Sequence, residues 1–79
     1  MLFLIEYDRK IGHIVTMKIF NDSERQRADE SRLRLELDLN RRGIEREVVI
    51  LQAATEKAIR RTHRRYFEDL AEVAKSHAS

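Results

Sequence analysis

The sequence predicts an α+β fold with the element order ββαβα, in which a three-stranded, mostly antiparallel sheet has the strand order 2-1-3 and two helices pack on one face. Two runs rich in β-branched and aromatic residues near the start predict a hairpin. A third apolar run lies between two segments with helical features. A right-handed crossover through the first helix then places the first strand between the other two.

The hairpin is predicted from residues 2–8, "LFLIEYD", and residues 13–20, "HIVTMKIF". The connection between them contains Gly12, which can adopt the positive φ of a tight turn. Apolar side chains occupy both sides of the first strand, with Phe3, Ile5 and Tyr7 on one side and Leu2 and Leu4 on the other. A strand that is apolar on both sides is typical of the centre of a sheet.

The first helix is predicted to begin in the segment "NDSERQ", where Asp22 or Ser23 can act as N-cap and Gln26 can complete a capping box with Ser23. The segment 32–39 alternates leucines with charges at period two, which is typical of a half-buried strand. Nearly all of its residues are good helix formers, however, and none is β-branched. Because Gly43 also provides a C-terminal stop, we predict a helix here.

A helix from about Ser23 to Arg41 has leucines on two opposite sides. Ala28, Leu35 and Leu39 share one side, while Leu33 and Leu37 lie nearly opposite. Such a helix needs two surfaces to pack against, and we expect one of them to be the sheet. The other is expected to be the second helix or another copy of the chain.

The third strand is predicted within residues 45–53, through "VVIL", and Thr55 is expected to cap a second helix that runs to about Ser76. The chain is thus expected to form one domain over residues 1–76, followed by a frayed tail at 77–79. The predicted apolar stripe of this helix consists of Ile59, Thr62, His63, Tyr66, Leu70, Val73 and Ala74.

Self-association is expected because a helix of this length overhangs the strands beneath it. Its distal apolar residues then need a symmetric partner. The candidate residues for a homodimer interface are Leu33, Leu37, Leu70 and Val73.

A cluster of cations lies within residues 57–65, and the helical period places it opposite the apolar stripe. We call it the basic face, which consists of Lys57, Arg60, Arg61, Arg64 and Arg65. One interpretation is a solvated surface whose arginines pair with neighbouring carboxylates. The other is a binding surface for an acidic protein or for nucleic-acid phosphates, which arginine can hold through two hydrogen bonds.

Motifs that carry catalysis or metal binding do not stand out in the sequence. The absence of cysteine excludes thiol chemistry and cysteine-based metal sites, and no histidine pair has the spacing of a zinc motif. No glycine-rich phosphate loop occurs. His63 is expected to be a structural imidazole, with a catalytic or ligand role as the alternative. We therefore predict no metal, cofactor or small-molecule ligand.

The composition favours a small binding protein over a membrane protein or an enzyme. The 79 residues carry a net charge of +2, and no apolar stretch reaches the length of a membrane span. "MLFLI" is soon followed by Glu6, unlike a signal peptide, so a cytoplasmic protein is expected. We predict a non-enzymatic interaction module that forms a homodimer and presents its basic face to an acidic partner. The alternatives are a nucleic-acid-binding accessory protein that uses the Lys57–Arg65 stripe on phosphates and, third, an enzyme.

Overall fold

The computed structural model describes residues 1–67 of the chain. The described elements are β1 Leu2–Asp8, β2 His13–Phe20, a 3-10 turn Asp22–Glu24, α1 Arg25–Arg41, β3 Glu47–Gln52, α2 Glu56–Thr62 and a 3-10 turn Arg64–Tyr66. The strand order is β2-β1-β3, and β1 is antiparallel to both neighbours. The α+β class, the strand order and the two helices are therefore as predicted.

Strand β1 is central and its side chains are the most buried of the sheet. Phe3 and Ile5 have no exposed surface, and Leu2 and Leu4 are each 1% exposed. The hairpin contains one irregularity, because Glu6 and Tyr7 are opposite Thr16 and Ile14, which leaves Val15 as the extra residue of β2. Gly12 closes the hairpin at φ 69°, the positive φ expected of it.

The two helices lie on opposite faces of the sheet, which corrects the expectation that both pack on one face. Ile59 of α2 and Tyr66 belong to one buried cluster with the side chains on one face of β1, namely Phe3, Ile5 and Tyr7. On the other face of β1, Leu4 is paired with Lys18 of β2, and a groove there is lined jointly by Lys18 and Leu35 of α1. Because β1 is apolar on both faces, each face needs its own helix as a cover.

The ends of α1 are set by local hydrogen bonds. Before the start, the backbone N–H of Asn21 donates to the Glu24 carboxylate at 3.0 Å across the 3-10 turn that leads into α1, so this pair takes the place of the predicted Ser23 and Gln26 capping box. At the end, Gly43 has φ 67°, and the Ile44 amide donates to the carbonyl of Leu39 at 2.9 Å. This is a Schellman motif, so the predicted stop at Gly43 is confirmed.

Helix α2 is shorter than predicted, because it ends at Thr62 rather than near Ser76. The Thr55 hydroxyl caps its start, as expected, by accepting from the Ala58 amide at 3.0 Å. At its end, His63 leaves the helical region with φ −125° and ψ 51°. The predicted continuation, including Leu70, Val73 and Ala74, lies outside the described residues.

A tertiary contact explains why the helix does not continue through the described residues. The 3-10 turn after His63 brings the ring of Tyr66 edge-on to the ring of Tyr7, with their centroids 5.1 Å apart. The Tyr7 hydroxyl also donates to the carbonyl oxygen of Arg65 at 3.3 Å. Aromatic packing and this hydrogen bond thus favour the 3-10 turn over a further α-helical turn directly after His63.

Candidate interaction surfaces

The five cations of the basic face are all exposed, but they are not equivalent. Arg60 donates to the Glu56 carboxylate of the same helix at 3.0 Å and lies 4.8 Å from the ring centroid of Phe67. Arg65 pairs with Glu47 at 2.9 Å. The basic face is therefore partly the solvated, ion-paired surface that the first interpretation describes.

Lys57 and Arg61 are the members of the basic face whose charges are available for a partner. Neither makes a hydrogen bond or ion pair with another residue of the described range 1–67. Both point into solvent from α2, one helical turn apart, since they are separated by four residues. A ligand carboxylate or phosphate could contact both of them without displacing an existing ion pair.

The carboxylate of Glu47 is the centre of a cluster that attaches the 3-10 turn Arg64–Tyr66 to the sheet. Its side chain is only 13% exposed and accepts from Arg9 at 2.8 Å and from Arg65 at 2.9 Å. These contacts lower the pKa of Glu47 to about 2: the hydrogen bond from Arg9 contributes most, and contacts with Tyr66 and Arg65 add to it against the opposing effect of burial. Glu47 is thus ionised at neutral pH and links β3 to the hairpin turn and to the 3-10 turn.

Arg65 is fixed by aromatic as well as acidic contacts. Its guanidinium donates to the Tyr66 hydroxyl at 2.6 Å and lies 4.3 Å from the centroid of that ring. The hydrogen bond to Glu47 raises the pKa of Arg65 above its ordinary value, and burial raises the pKa of Tyr66. Arg65, which the sequence placed with the binding cations, is therefore already engaged by Glu47 and Tyr66 of its own chain.

A second charged cluster lies on the opposite face of the sheet. The Nε of Arg46 is 3.6 Å from a carboxylate oxygen of Glu6 and 3.6 Å from one of Asp8. Glu6 is only 6% exposed, so Arg46 balances a buried negative charge. These are ion pairs rather than hydrogen bonds, because the buried Nε of Arg46 has no hydrogen-bond partner among the described residues.

His63 does not lie in the buried stripe where the sequence placed it. It is half-buried at the C-terminal end of α2, and its Nδ1 is 2.9 Å from the Thr62 hydroxyl oxygen. Thr62 is exposed, and its hydroxyl donates to the carbonyl of Ala58 at 3.1 Å. Of the predicted stripe within the described range, Ile59 and Tyr66 are buried. No group of three or more potential metal ligands converges within residues 1–67.

The outer side of α1 carries the most exposed leucines of the described chain. Leu33 is 57% exposed and Leu37 is 54% exposed, one helical turn apart. Ala28 and Leu39 on the opposite side are buried against the sheet. The predicted two-sided helix is confirmed. The other two self-association candidates, Leu70 and Val73, lie outside the described residues.

A smaller apolar surface lies along the hairpin. Ile11, Val15 and Ile19 are each about half exposed, and β2 forms one edge of the described sheet. Ile19 is opposite Phe3, which puts it on the face that α2 covers. Lys18 and the irregularity at Val15 make this edge unfavourable for strand addition, because charge and bulges disrupt regular pairing.

Comparisons with protein-family models, with curated proteins and with solved structures give no match to this chain. Among residues 1–67, no helix is long and apolar enough to cross a membrane.

Proposed function

We propose that this protein is a non-enzymatic interaction module that self-associates through α1 and presents the basic face to an acidic protein partner. The observation that carries the proposal is the placement of two surfaces on opposite faces of the sheet. Leu33 and Leu37 are exposed on one side, and Lys57 and Arg61 are exposed on the other. Pairing through α1 therefore leaves the basic face of both copies accessible, and a dimer can bind two acidic segments at once.

The two leucines supply part of the association energy. Burying a leucine side chain fully contributes about 1.5–3 kcal/mol, so four half-exposed leucines in a dimer contribute roughly 3–7 kcal/mol. Association itself costs about 4–15 kcal/mol. The leucines alone are thus insufficient for a tight dimer, and polar contacts around them must contribute.

The pairing of the arginines favours an acidic protein segment over nucleic acid. The chain itself already neutralises Arg60 through Glu56 and Arg65 through Glu47. A surface that tracks a phosphate backbone gains affinity from each counterion it displaces, so it benefits from free cations. Lys57 and Arg61 suffice for a short acidic segment but provide little for a nucleic-acid duplex.

The experiment that tests the basic face compares the variant Lys57→Glu/Arg61→Glu with the wild type. Binding to a labelled polyglutamate peptide and to a mixed-sequence oligonucleotide is followed by fluorescence anisotropy. The matched control reverses two exposed lysines of the hairpin, Lys10→Glu/Lys18→Glu. We expect the first variant to lose peptide binding and the control to retain most of it, since attraction from the net charge alone affects both equally.

Equal losses in the two variants would show that the binding reflects only net charge and would overturn the role of the basic face. Tighter binding to the oligonucleotide, with an affinity that falls steeply with salt, would support the nucleic-acid alternative. Circular dichroism of each variant checks that the fold is retained.

A further inference from the structure

We infer that α1 pairs in parallel with α1 of a second copy of this chain, with Leu33 and Leu37 packed against the same residues of the partner. This inference rests on the proposed self-association and specifies its geometry. Leu33 and Leu37 are separated by four residues and lie opposite the side of α1 that the sheet buries. The exposed stripe extends above and below them at helical spacing and consists of Gln26, Glu30, Leu33, Leu37 and Asn40.

Charges of opposite sign flank this stripe on its two sides. Asp29 and Glu36, seven residues apart, lie on one flank. Arg34 and Arg41, also seven residues apart, lie on the other. The heptad spacing keeps each pair on one side of the helix over its whole length, so α1 has an acidic flank and a basic flank.

The order of these flanks favours a parallel pair. In parallel helices, one flank of a helix lies against the opposite flank of its partner five residues further along, so Asp29 meets Arg34 and Glu36 meets Arg41. In antiparallel helices, like flanks meet, and Arg34 then lies near Arg34 of the other copy and Glu36 near Glu36. The parallel arrangement therefore converts repulsion into attraction on both sides of the stripe.

The four charged side chains are available for these contacts. Arg34 and Arg41 make no hydrogen bond or ion pair with another residue in the described range. Asp29 and Glu36 pair only with arginines of their own helix, each at 3.9 Å, which is close to the limit of an ion pair. Forming contacts with a partner therefore breaks no short contact within the chain.

Glu30 disfavours the parallel arrangement, because its carboxylate then lies close to the Glu30 carboxylate of the second copy and the two repel each other. An antiparallel pair would place it near Asn40 instead. Glu30 is exposed and accepts from Gln26 at a long 3.4 Å, so its carboxylate can turn towards solvent. The repulsion between two solvated Glu30 carboxylates costs less free energy than the four flank contacts contribute. Because Glu30→Gln removes this repulsion, we expect it to lower the dissociation constant of a parallel pair.

The first test measures self-association of Arg34→Glu/Arg41→Glu by sedimentation equilibrium at low salt. For a parallel pair, we expect the dissociation constant to rise at least about tenfold, because every flank contact then joins two acidic side chains. The matched control Asp29→Arg/Arg34→Glu/Glu36→Arg/Arg41→Glu exchanges the two flanks, keeps the net charge and should restore wild-type association. An antiparallel pair predicts little change in either variant, since its flank contacts are like-charged throughout.

The second test uses the absence of native cysteine. Asn40→Cys should form a disulfide-linked dimer under mild oxidation if the helices are parallel, because the two copies of residue 40 then face each other. In an antiparallel pair centred on the leucines, those copies are about 15 Å apart and cannot be bridged. Arg32→Cys, outside the exposed stripe of α1, is the control that should form no disulfide-linked dimer under the same conditions.

The outcomes separate the geometry from the proposed function. A wild-type chain that does not associate would overturn both the proposed self-association and the parallel pair. A chain that associates, is unaffected by Arg34→Glu/Arg41→Glu and does not crosslink through Asn40→Cys would overturn the parallel pair alone. Weakening by the first variant, recovery in the exchanged control and self-crosslinking together support it. Circular dichroism of each variant confirms that α1 is formed.

Discussion

Replacement of Glu47 by Gln should make the protein measurably less stable at neutral pH and remove part of its sensitivity to acid. The carboxylate accepts from Arg9 at 2.8 Å and from Arg65 at 2.9 Å, and it is 13% exposed. The amide of Gln has the same shape but carries no charge. The substitution therefore weakens the link between the hairpin turn, β3 and the 3-10 turn without creating a cavity.

The magnitude follows from the pKa of Glu47, which is lowered from 4.5 to about 2. A shift of this size corresponds to an upper limit of about 3 kcal/mol. The two arginines are mostly exposed, at 73% and 61%, so solvent screening reduces the expected loss to about 1–2 kcal/mol. For a domain of this size, that loss lowers the midpoint of thermal unfolding by about 5–15 °C.

The pH dependence has a definite direction. Because folding lowers the pKa of Glu47, its contribution to stability is complete above about pH 5 and is lost as the pH falls through 4.5 towards 2. The unfolding midpoints of the wild type and of Glu47→Gln should therefore converge in strong acid. Thermal unfolding followed by circular dichroism, at one protein concentration and several pH values, measures both effects.

Glu45→Gln is the matched control for this experiment, because Glu45 is exposed and makes no hydrogen bond or ion pair within the described residues. It should unfold at the wild-type midpoint. A Glu47→Gln variant that unfolds at the midpoint of this control at neutral pH would show that the ion pairs of Glu47 do not stabilise the fold. A lowered unfolding midpoint that persists in strong acid would show the same.

Three further substitutions test the local structure, each by the shift of the unfolding midpoint. Tyr66→Phe removes the 2.6 Å hydrogen bond from Arg65 and keeps the ring, so we expect a loss of about 0.5–1.5 kcal/mol, and no loss would contradict that contact. His63→Asn should lower the free energy of unfolding by less than about 1 kcal/mol and leave peptide binding intact, because His63 is half-buried and its side chain contacts Thr62 by hydrogen bonding. Unchanged stability with lost peptide binding would instead assign His63 to the surface that binds the partner. Gly43→Ala should cost about 1 kcal/mol, since φ is 67° there, although its new methyl group meets no atom within 4 Å.

The strand order could be predicted because its signals are local. The apolar character of β1 on both faces indicates a central strand, and Gly12 and Gly43 mark the turns at which the chain adopts positive φ. The same property of β1 also requires a cover on each face. The expectation of both helices on one face neglected this requirement, and the structure places α1 and α2 on opposite faces.

The end of α2 and the role of Arg65 could not be predicted from the sequence because their causes are distant in the chain. The helical period continues past His63, but the Tyr7 hydroxyl binds the carbonyl of Arg65 and the Tyr66 ring packs on Tyr7. Similarly, nothing near Arg65 in the sequence indicates that Glu47 neutralises it. In contrast, the pairing of Arg60 with Glu56 has the four-residue spacing of a helical ion pair and can be predicted from the sequence alone.

Sedimentation equilibrium of the wild type beside Leu33→Gln/Leu37→Gln tests the central claim most directly. We expect the wild type to approach twice the chain mass of 9.4 kDa as concentration rises, and the leucine variant to remain at 9.4 kDa. The control Val15→Gln/Ile19→Gln, which alters the exposed apolar surface of the hairpin, should associate like the wild type. A wild-type monomer at high micromolar concentration, or a leucine variant that associates as well as the wild type, would contradict self-association through α1.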